Sequence, residues 1–232
     1  EDLIETWPTV ADLAAFVTVA REQAAGQVGE AAVVRQPGDR GGPPLPLVSG
    51  RHVALVSLTD PLLTALHAAM TGPGDGFRYR FHGGVPNPQE FVSVLLNGSL
   101  VSFALTTLDG SLVGFVGCSN ADLGSGFAHI EAFILPEFRA CGWWVEGLVL
   151  FVEHVFMHFD LRKLYLESSV LSVPQFESAL DRLVRVEGSL REHQYFAGRF
   201  VDVLICALYR DDFFASEIRR TVIASLQSSP RR

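Results

Sequence analysis

Two positions on one segment, and a short stretch downstream of it, carry side chains suited to chemistry. His129 and Glu131 stand two apart in the apolar segment Phe127–Leu135; after Pro136 comes the run at 139–146, Arg-Ala-Cys-Gly-Trp-Trp-Val-Glu. An imidazole beside a carboxylate can take a proton from an attacking nucleophile near neutral pH. Period-two alternation places His129, Glu131 and Phe133 on one strand face, opposite Ile130, Ala132 and Ile134, and only a bulge would change that phase. An unpaired carboxylate is costly to bury in an apolar strand, so Glu131 is solvated in a cleft, paired, or functional. His129 is either its partner or an ordinary satisfied polar residue.

The run at 139–146 lies where an extended segment gives way to a helical one. A helix start presents N–H groups without intrahelical partners, which suits an anion such as a phosphate, although the indoles of Trp143 and Trp144 crowd the approach. Cys141 sits at the same helix start, where the dipole would lower a thiol pKa and favour a nucleophile; with no evident His and acid partner, an inert thiol is the plainer reading. His154 and His158, four apart with Glu153 adjacent, have a spacing that can bridge a metal. No H-E-x-x-H pattern accompanies them, so a solvated helix face and no metal are expected. No G-x-S-x-G signature occurs, and Cys118, Cys141 and Cys206 show no C-x-x-C spacing, which argues against both a zinc site and a disulfide framework.

These side chains need elements to hold them. Val53–Leu58 reads as a strand, followed after Thr59-Asp60-Pro61 by a helix with Leu62, Leu63, Leu66, Ala69 and Met70 as its apolar stripe. Residues 72–88, with Phe77, Tyr79, Phe81 and His82 among glycines and prolines, suit a shaped surface loop. A short helix at Gln89–Leu96 leads to two β-rich runs, Ser99–Thr107 and Ser111–Cys118, around Asp109-Gly110, which predicts a hairpin with a two-residue type I′ turn. Phe127–Leu135 adds a strand, a helix from Gly142 to Phe159 crosses over, and Lys163–Ser168 returns parallel. Trp144, Leu148, Phe151, Val152 and Val155 share helical spacing, which predicts a core position for the Trp144 indole. Phe200–Tyr209 reads as a buried strand and Asp212–Leu226 as one terminal helix. Tyr195, Phe196 and Phe200 flank Ala197-Gly198-Arg199 and shape a hairpin tip that serves as substrate wall, dimer contact or simple turn packing.

The chain has 232 residues, 48% of them hydrophobic, and a formal charge of −8. That is enough to bury a sizeable core. The basic residues are scattered, so a nucleic-acid face is not expected. No apolar run is long enough to span a bilayer and the first residues lack a signal-peptide pattern, so a soluble cytoplasmic protein is expected. Four regions follow: an N-terminal helical extension at 1–34, capped by Thr9 with Leu13, Phe16, Val17 and Ala20 as its stripe; a Gly/Pro-rich linker at 35–46; a main domain at 47–212; and a C-terminal helix and tail at 213–232.

The order of elements resembles the GCN5-related N-acetyltransferase superfamily, especially the branch that acetylates N-termini of ribosomal proteins. The resemblance spans about 47–212. It rests on Arg51, Asp109-Gly110 with Leu112-Val113-Gly114, Pro136, Arg139, Gly142 and Glu146, and a terminal hairpin built from Glu187-Gly188-Ser189-Leu190-Arg191-Glu192-His193 and Gly198-Arg199-Phe200-Val201-Asp202. It implies a mixed, mostly antiparallel α/β sheet with flanking helices. It also implies an acyl-coenzyme A donor, acetyl above all, whose pyrophosphate is cradled by N–H groups across Arg139, Ala140, Cys141, Gly142, Trp143, Trp144 and Val145. The backbone of Phe133, Ile134 and Leu135 would then hold the pantetheine, with Ser172 a further cofactor contact and Glu131, helped by His129, the catalytic base. The chain departs from the family pattern at Trp144, Ser172, Ala179 and Arg182-Leu183-Val184, which makes the coenzyme A loop degenerate and removes the usual tyrosine acid.

The implied activity is direct acyl transfer to an amine of a small molecule or peptide. The alternatives are an acyl group delivered by a carrier protein in a biosynthetic pathway, a lyase or cyclase step, or a non-catalytic binding module. A carrier protein and a second copy of the chain are candidate partners; nucleic acid and membrane are not.

Overall fold

A computed structural model describes residues 46–72, 81, 84–139, 141–169, 183–196 and 198–227. The N-terminal helix, most of the linker, Phe77, Tyr79, His82, Ala140, Ser172, Ala179, Arg182 and Ala197 lie outside the described residues.

Eight strands form one sheet in the order β1-β2-β3-β4-β5-β6-β8-β7: β1 (Pro46–Ser49), β2 (Val53–Val56), β3 (Ser99–Thr107), β4 (Leu112–Asp122), β5 (Phe127–Ile134), β6 (Lys163–Ser169), β7 (Val184–Phe196) and β8 (Arg199–Tyr209). All neighbours are antiparallel except β5 and β6. This is the mixed, mostly antiparallel α/β architecture read from the sequence. Strand β1 was not expected there; Pro46 opens it, at the one strand position where a missing N–H costs no ladder bond.

Helices α1 (Asp60–Thr71) and α2 (Pro88–Leu96) cover one face of the sheet. Leu66 and Met70 are buried with Phe91 and Leu95 against Phe115 and Phe133, and Leu63 and Ala69 pack at the edge of that cluster. Helix α2 starts in a capping box: Asn87 Oδ1 accepts from the Glu90 N–H (3.0 Å) and the Glu90 carboxylate accepts from the Asn87 N–H (3.1 Å). The crossover helix α3 (Trp143–His158) covers the other face, where Val149, Phe151, Val152, Val155 and Phe156 bury against Val53, Leu55, Leu105, Val116 and Ala128. Among the described residues no helix is long and apolar enough to cross a membrane.

Two local expectations need correction. The β3–β4 turn is not a two-residue type I′ turn: the Thr107 N–H donates to the Ser111 carbonyl (2.8 Å) and the Gly110 N–H to the Thr107 carbonyl (3.0 Å). Leu108 and Asp109 therefore form the corners and Gly110, at φ +93°, takes the left-handed bulge position. Type I′ would have required a positive φ at Asp109 as well. The terminal helix is also two helices, α4 (Arg210–Ala215) and α5 (Glu217–Gln227), because Ser216 intervenes. Its hydroxyl accepts from the Arg219 N–H (3.3 Å) and so caps α5. Arg219 then fastens α5 to α3 through both carboxylate oxygens of Glu153 (2.5 and 2.7 Å).

Candidate active site

Strands β5 and β6 pair only from Phe127 to His129 with Lys163 to Tyr165. Beyond those positions β5 runs on beside β4 to Ile134 and β6 runs on beside β8 to Ser169, so the sheet opens between them. Side chains of β5 alternate through this opening. The β4–β5 register is continuous from Gly114 to Ser119 and its irregularity lies farther on, so no bulge disturbs the phase of His129, Glu131 and Phe133. Phe133 packs under α1 and α2, which places Glu131 and His129 on that same face of the sheet.

Glu131 accepts a hydrogen bond from the Ser119 hydroxyl on β4 (2.6 Å). His129 is flanked by the rings of Phe127 and Tyr165, with centroids 6.3 and 5.5 Å away, and its Nδ1 lies 3.6 Å from Glu167 on β6. Glu167 is the imidazole's carboxylate neighbour across the opening. Sequence reasoning did not single it out, because only the register of β6 against β5 reveals the contact.

The segment after β5 turns through a 3₁₀ helix at Pro136–Phe138 and reaches α3 at Gly142, whose φ is +72°. A Cβ at Gly142 would meet nothing within 4 Å, so the left-handed backbone, rather than crowding, calls for glycine there. Several groups of the turn bond within it. The Arg139 N–H donates to the Pro136 carbonyl (3.3 Å), that of Cys141 to Phe138 (3.4 Å) and that of Val145 to Gly142 (3.1 Å). The Arg139 side chain folds back, its Nε donating to the Ile134 carbonyl (3.1 Å). The first-turn N–H groups of Trp143 and Trp144 have no carbonyl one turn earlier in the helix.

The core position expected of Trp144 is taken by its neighbour. Trp143 packs on the core, stacked on the His52 ring at 5.6 Å and near Phe138 at 6.0 Å. Trp144 lies along the loop, its Nε1 donating to the Arg139 carbonyl (3.1 Å). An indole N–H needs an acceptor when half-buried, and that carbonyl is the one within reach. The Cys141 thiol fits the inert reading rather than the dipole-activated one: burial pushes its pKa up, and its Sγ donates to the Phe138 carbonyl (3.1 Å). Burial and the charge of Glu131 push the Cys118 thiol up to about 12. His154 and His158 stack at 4.2 Å, with the His158 ring bonded to the His154 carbonyl (2.8 Å), and no group of three metal-ligating side chains occurs among the described residues.

Glu146, one turn into α3, is buried and binds the turn between β1 and β2. Its carboxylate accepts from the backbone N–H groups of Arg51 and His52 (3.1 Å for His52) and contacts His52 Nδ1 at 2.8 Å. A side chain at Gly50 would collide with it, a Cβ falling 1.9 Å from Oε1. Burial alone would raise the Glu146 pKa, but the His52 ring and the two N–H groups outweigh it and hold the carboxyl below its ordinary value. A depressed folded-state pKa contributes stability above the unfolded carboxyl's pKa, and that stability is lost as pH falls through the folded value. Glu146→Gln is therefore expected to flatten the acid side of the thermal-stability profile, measured as Tm from pH 7 to pH 3. A variant with the wild-type acid slope would rule this carboxylate out as its source.

A second polar cluster lies on the α1/α2 face farther along the sheet. Glu187 on β7 reaches over β8 to Lys163 Nζ (2.7 and 3.0 Å) and to the hydroxyls of Tyr165 (2.9 Å) and Tyr209. Arg185 pairs with Asp212 (2.6 Å) beside it.

No protein-family model matches the sequence, and no curated protein matches it. Solved structures do. A chimera of spermidine N-acetyltransferase from Vibrio cholerae with hSSAT superposes with a TM-score of 0.61 at 19% identity, covering 71% of this chain and 99% of that one. The Vibrio cholerae spermidine N-acetyltransferase in complex with CoA and spermine gives 0.59 at 19% identity, over 70% and 98%. The fold is that of the GCN5-related N-acetyltransferases. The candidate site on this fold is the parting of β5 and β6 together with the start of α3.

Proposed function

We propose that this chain is an acyl-coenzyme A-dependent N-acyltransferase, acetyl being the expected group, which transfers it directly to an amine of a small molecule or peptide. The observation that carries the reading is the opening between β5 and β6, with Glu131 on its α1/α2 face and the start of α3 beyond it. The structural neighbours support it: both are N-acetyltransferases acting on amines, and one was solved with CoA and spermine. A pyrophosphate would lie at the open side of the loop, a placement supported by the space around Gly142 and by the N–H groups of Trp143 and Trp144 at the positive end of α3.

In this reading Phe133, Ile134 and Leu135 present backbone to the pantetheine arm. Glu131, oriented by Ser119, takes the proton of the attacking ammonium directly or through a water. The amine nitrogen then bonds to the thioester carbon, the C–S bond breaks, and the second proton lost by that nitrogen goes, through solvent, to the leaving thiolate. His129 holds the adjoining stretch of the cleft with Tyr165 and Glu167. Titration with acetyl-coenzyme A, followed by tryptophan fluorescence from Trp143 and Trp144, is expected to give a saturable change. It should also give thermal stabilisation, worth about 2.7 kcal/mol at a hundredfold excess over Kd. No saturable response and no stabilisation at millimolar ligand would sink the proposal.

The Trp144 indole along the loop favours one second reading, in which the acyl group arrives on the phosphopantetheine arm of a carrier protein. That donor needs the β5–β6 opening but little of the pyrophosphate loop. Equal turnover with acetyl-pantetheine and acetyl-coenzyme A would select it.

A further inference from the structure

A pyrophosphate held at the start of α3 shares that helix end with a buried carboxylate. Glu146 follows Trp143 by three residues, which puts it on the same side of the helix about 4.5 Å farther along the axis. Its side chain keeps 9% exposure, so little water screens it. A negative charge there cancels part of the positive end of the helix and repels a second anion. His52 is the counter-charge. Its Nδ1 lies 2.8 Å from Glu146 Oε2, and its ring stacks on Trp143 at 5.6 Å with 11° between the planes, so one imidazole spans the first turn of α3. The His52 side chain is 35% exposed and exchanges protons with solvent. Protonated, it makes the pair neutral and leaves the helix end to the ligand. Neutral, it leaves a net negative charge there, since the Arg51 and His52 N–H groups hold Glu146 by hydrogen bonds that bring no charge.

Imidazoles change charge between about pH 5 and pH 8. Among the described residues, the other charged groups around the β1–β2 turn keep one state over that range. Arg51 beside His52 and Arg139 before α3 are guanidiniums, charged throughout. Glu137 precedes α3, and Asp109 stands on the β3–β4 turn next to the Val53–Thr107 pair. Carboxylates complete their titration below this range, and the Thr107 hydroxyl holds Asp109 lower still. Burial pushes the Cys141 thiol up. His154 lies about 12 Å beyond Glu146 along α3, packed on Phe103. Protonation near neutral pH therefore changes the charge of the α3 start at His52.

We propose that His52 is a positioning residue which, acting through Glu146, makes donor binding proton-linked: the α3 start holds the acyl-coenzyme A pyrophosphate tightly with His52 charged and weakly with it neutral. This rests on the acyltransferase reading. Bound pyrophosphate favours the charged imidazole by the same factor, so affinity falls as pH rises through the titration of His52.

The test measures Kd for acetyl-coenzyme A by tryptophan fluorescence at pH 6 and pH 8 with the full chain, His52→Asn, His52→Arg and Glu146→Gln. The 3′-phosphate of the ligand loses a proton of its own near about pH 6, equally for every protein, so the comparison between proteins carries the result. Asn keeps a donor where Nδ1 stands and lacks the charge. The wild-type protein is expected to bind about tenfold more tightly than His52→Asn at pH 6 and equally at pH 8. His52→Arg should surpass the wild-type protein at pH 8. Glu146→Gln should also bind more tightly than wild type at pH 8, whereas loss of a merely structural carboxylate would weaken binding. Thermal melts without ligand establish that each variant is folded, and the two His52 variants, which keep the carboxylate, decide the matter if Glu146→Gln is not. A ratio of wild type to His52→Asn that is the same at both pH values overturns the role of His52, and saturable binding then leaves the acyltransferase reading standing. Absence of saturable binding in every protein at both pH values overturns both.

Discussion

Replacing Glu131 with glutamine is expected to lower kcat/KM for amine acylation by about 10²- to 10⁴-fold, the range set by removing a positioned general base, while saturable acetyl-coenzyme A binding is kept. The substitution preserves shape and the capacity to accept from Ser119, whose hydroxyl lies 2.6 Å from the carboxylate. What it removes is the site that receives the proton. An uncharged amide cannot do so, and the residual rate then rests on proximity and on solvent as base. The loss should fall mainly on kcat, and it should shrink as pH rises and the acceptor arrives already deprotonated. Steady-state kinetics of the variant, paired with the fluorescence titration, separates enzyme from scaffold. Unchanged turnover removes Glu131 from the mechanism.

The largest stability loss is expected from Glu187→Ala. Lys163 has a side-chain exposure of 7%, and its ammonium meets the Glu187 carboxylate at 2.7 Å. Deleting the carboxylate leaves a buried cation and the hydroxyls of Tyr165 and Tyr209 without their shared acceptor. Glu187 keeps a side-chain exposure of 27%, so the loss is that of charge-assisted hydrogen bonds at a partly exposed pair, about 1.5–3 kcal/mol. In a domain of this length each kcal/mol lowers Tm by about 2–4 °C. The hydrogen bond from Lys163, with those of the tyrosines, holds the Glu187 carboxyl at about 2. Because that value lies below the unfolded one, the cluster contributes fully above about pH 4.5 and its contribution fades as pH falls toward 2. Chemical denaturation at pH 7 and pH 3 tests both statements: the gap between wild type and variant should be large at the first and smaller at the second. The double variant Lys163→Met with Glu187→Leu should recover much of the loss, since it leaves no buried charge behind.

The elements were legible where local pattern decides them. The alternation of β5, the apolar stripe of α1 and the strand-helix-strand order around α3 need only residues close in sequence, and the mixed sheet followed from them. Where tertiary contact decides, the pattern was silent or misleading. Helical spacing assigned the core to Trp144, but the approach of the β1–β2 turn gives that place to Trp143, stacked on His52. For Cys141 burial outweighs the helix dipole, in line with the inert thiol preferred over a nucleophile there. Asp109-Gly110 signalled a hairpin correctly, yet the turn type depended on Leu108 taking a corner. At the candidate site, the shared face of His129, Glu131 and Phe133 was readable by counting in twos. Glu167 and Glu187 were not, because each meets its partner only through a strand register that joins residues far apart in the chain.

The short β5–β6 ladder also bears on how the molecule holds together. With three residue pairs as its seam, the sheet behaves as two leaves, β1 to β5 on one side and β6, β8 and β7 on the other. Helix α3 links them in the chain and packs chiefly on the first. Opening along the seam breaks few backbone bonds, and what resists it is the apolar cluster under α3, in which Leu164 and Leu208 lie with Val116 and Ala128. A pantetheine amide lodged in the gap would supply the missing rungs. The donor would then act as a structural splice, lengthening the seam for as long as it stays bound.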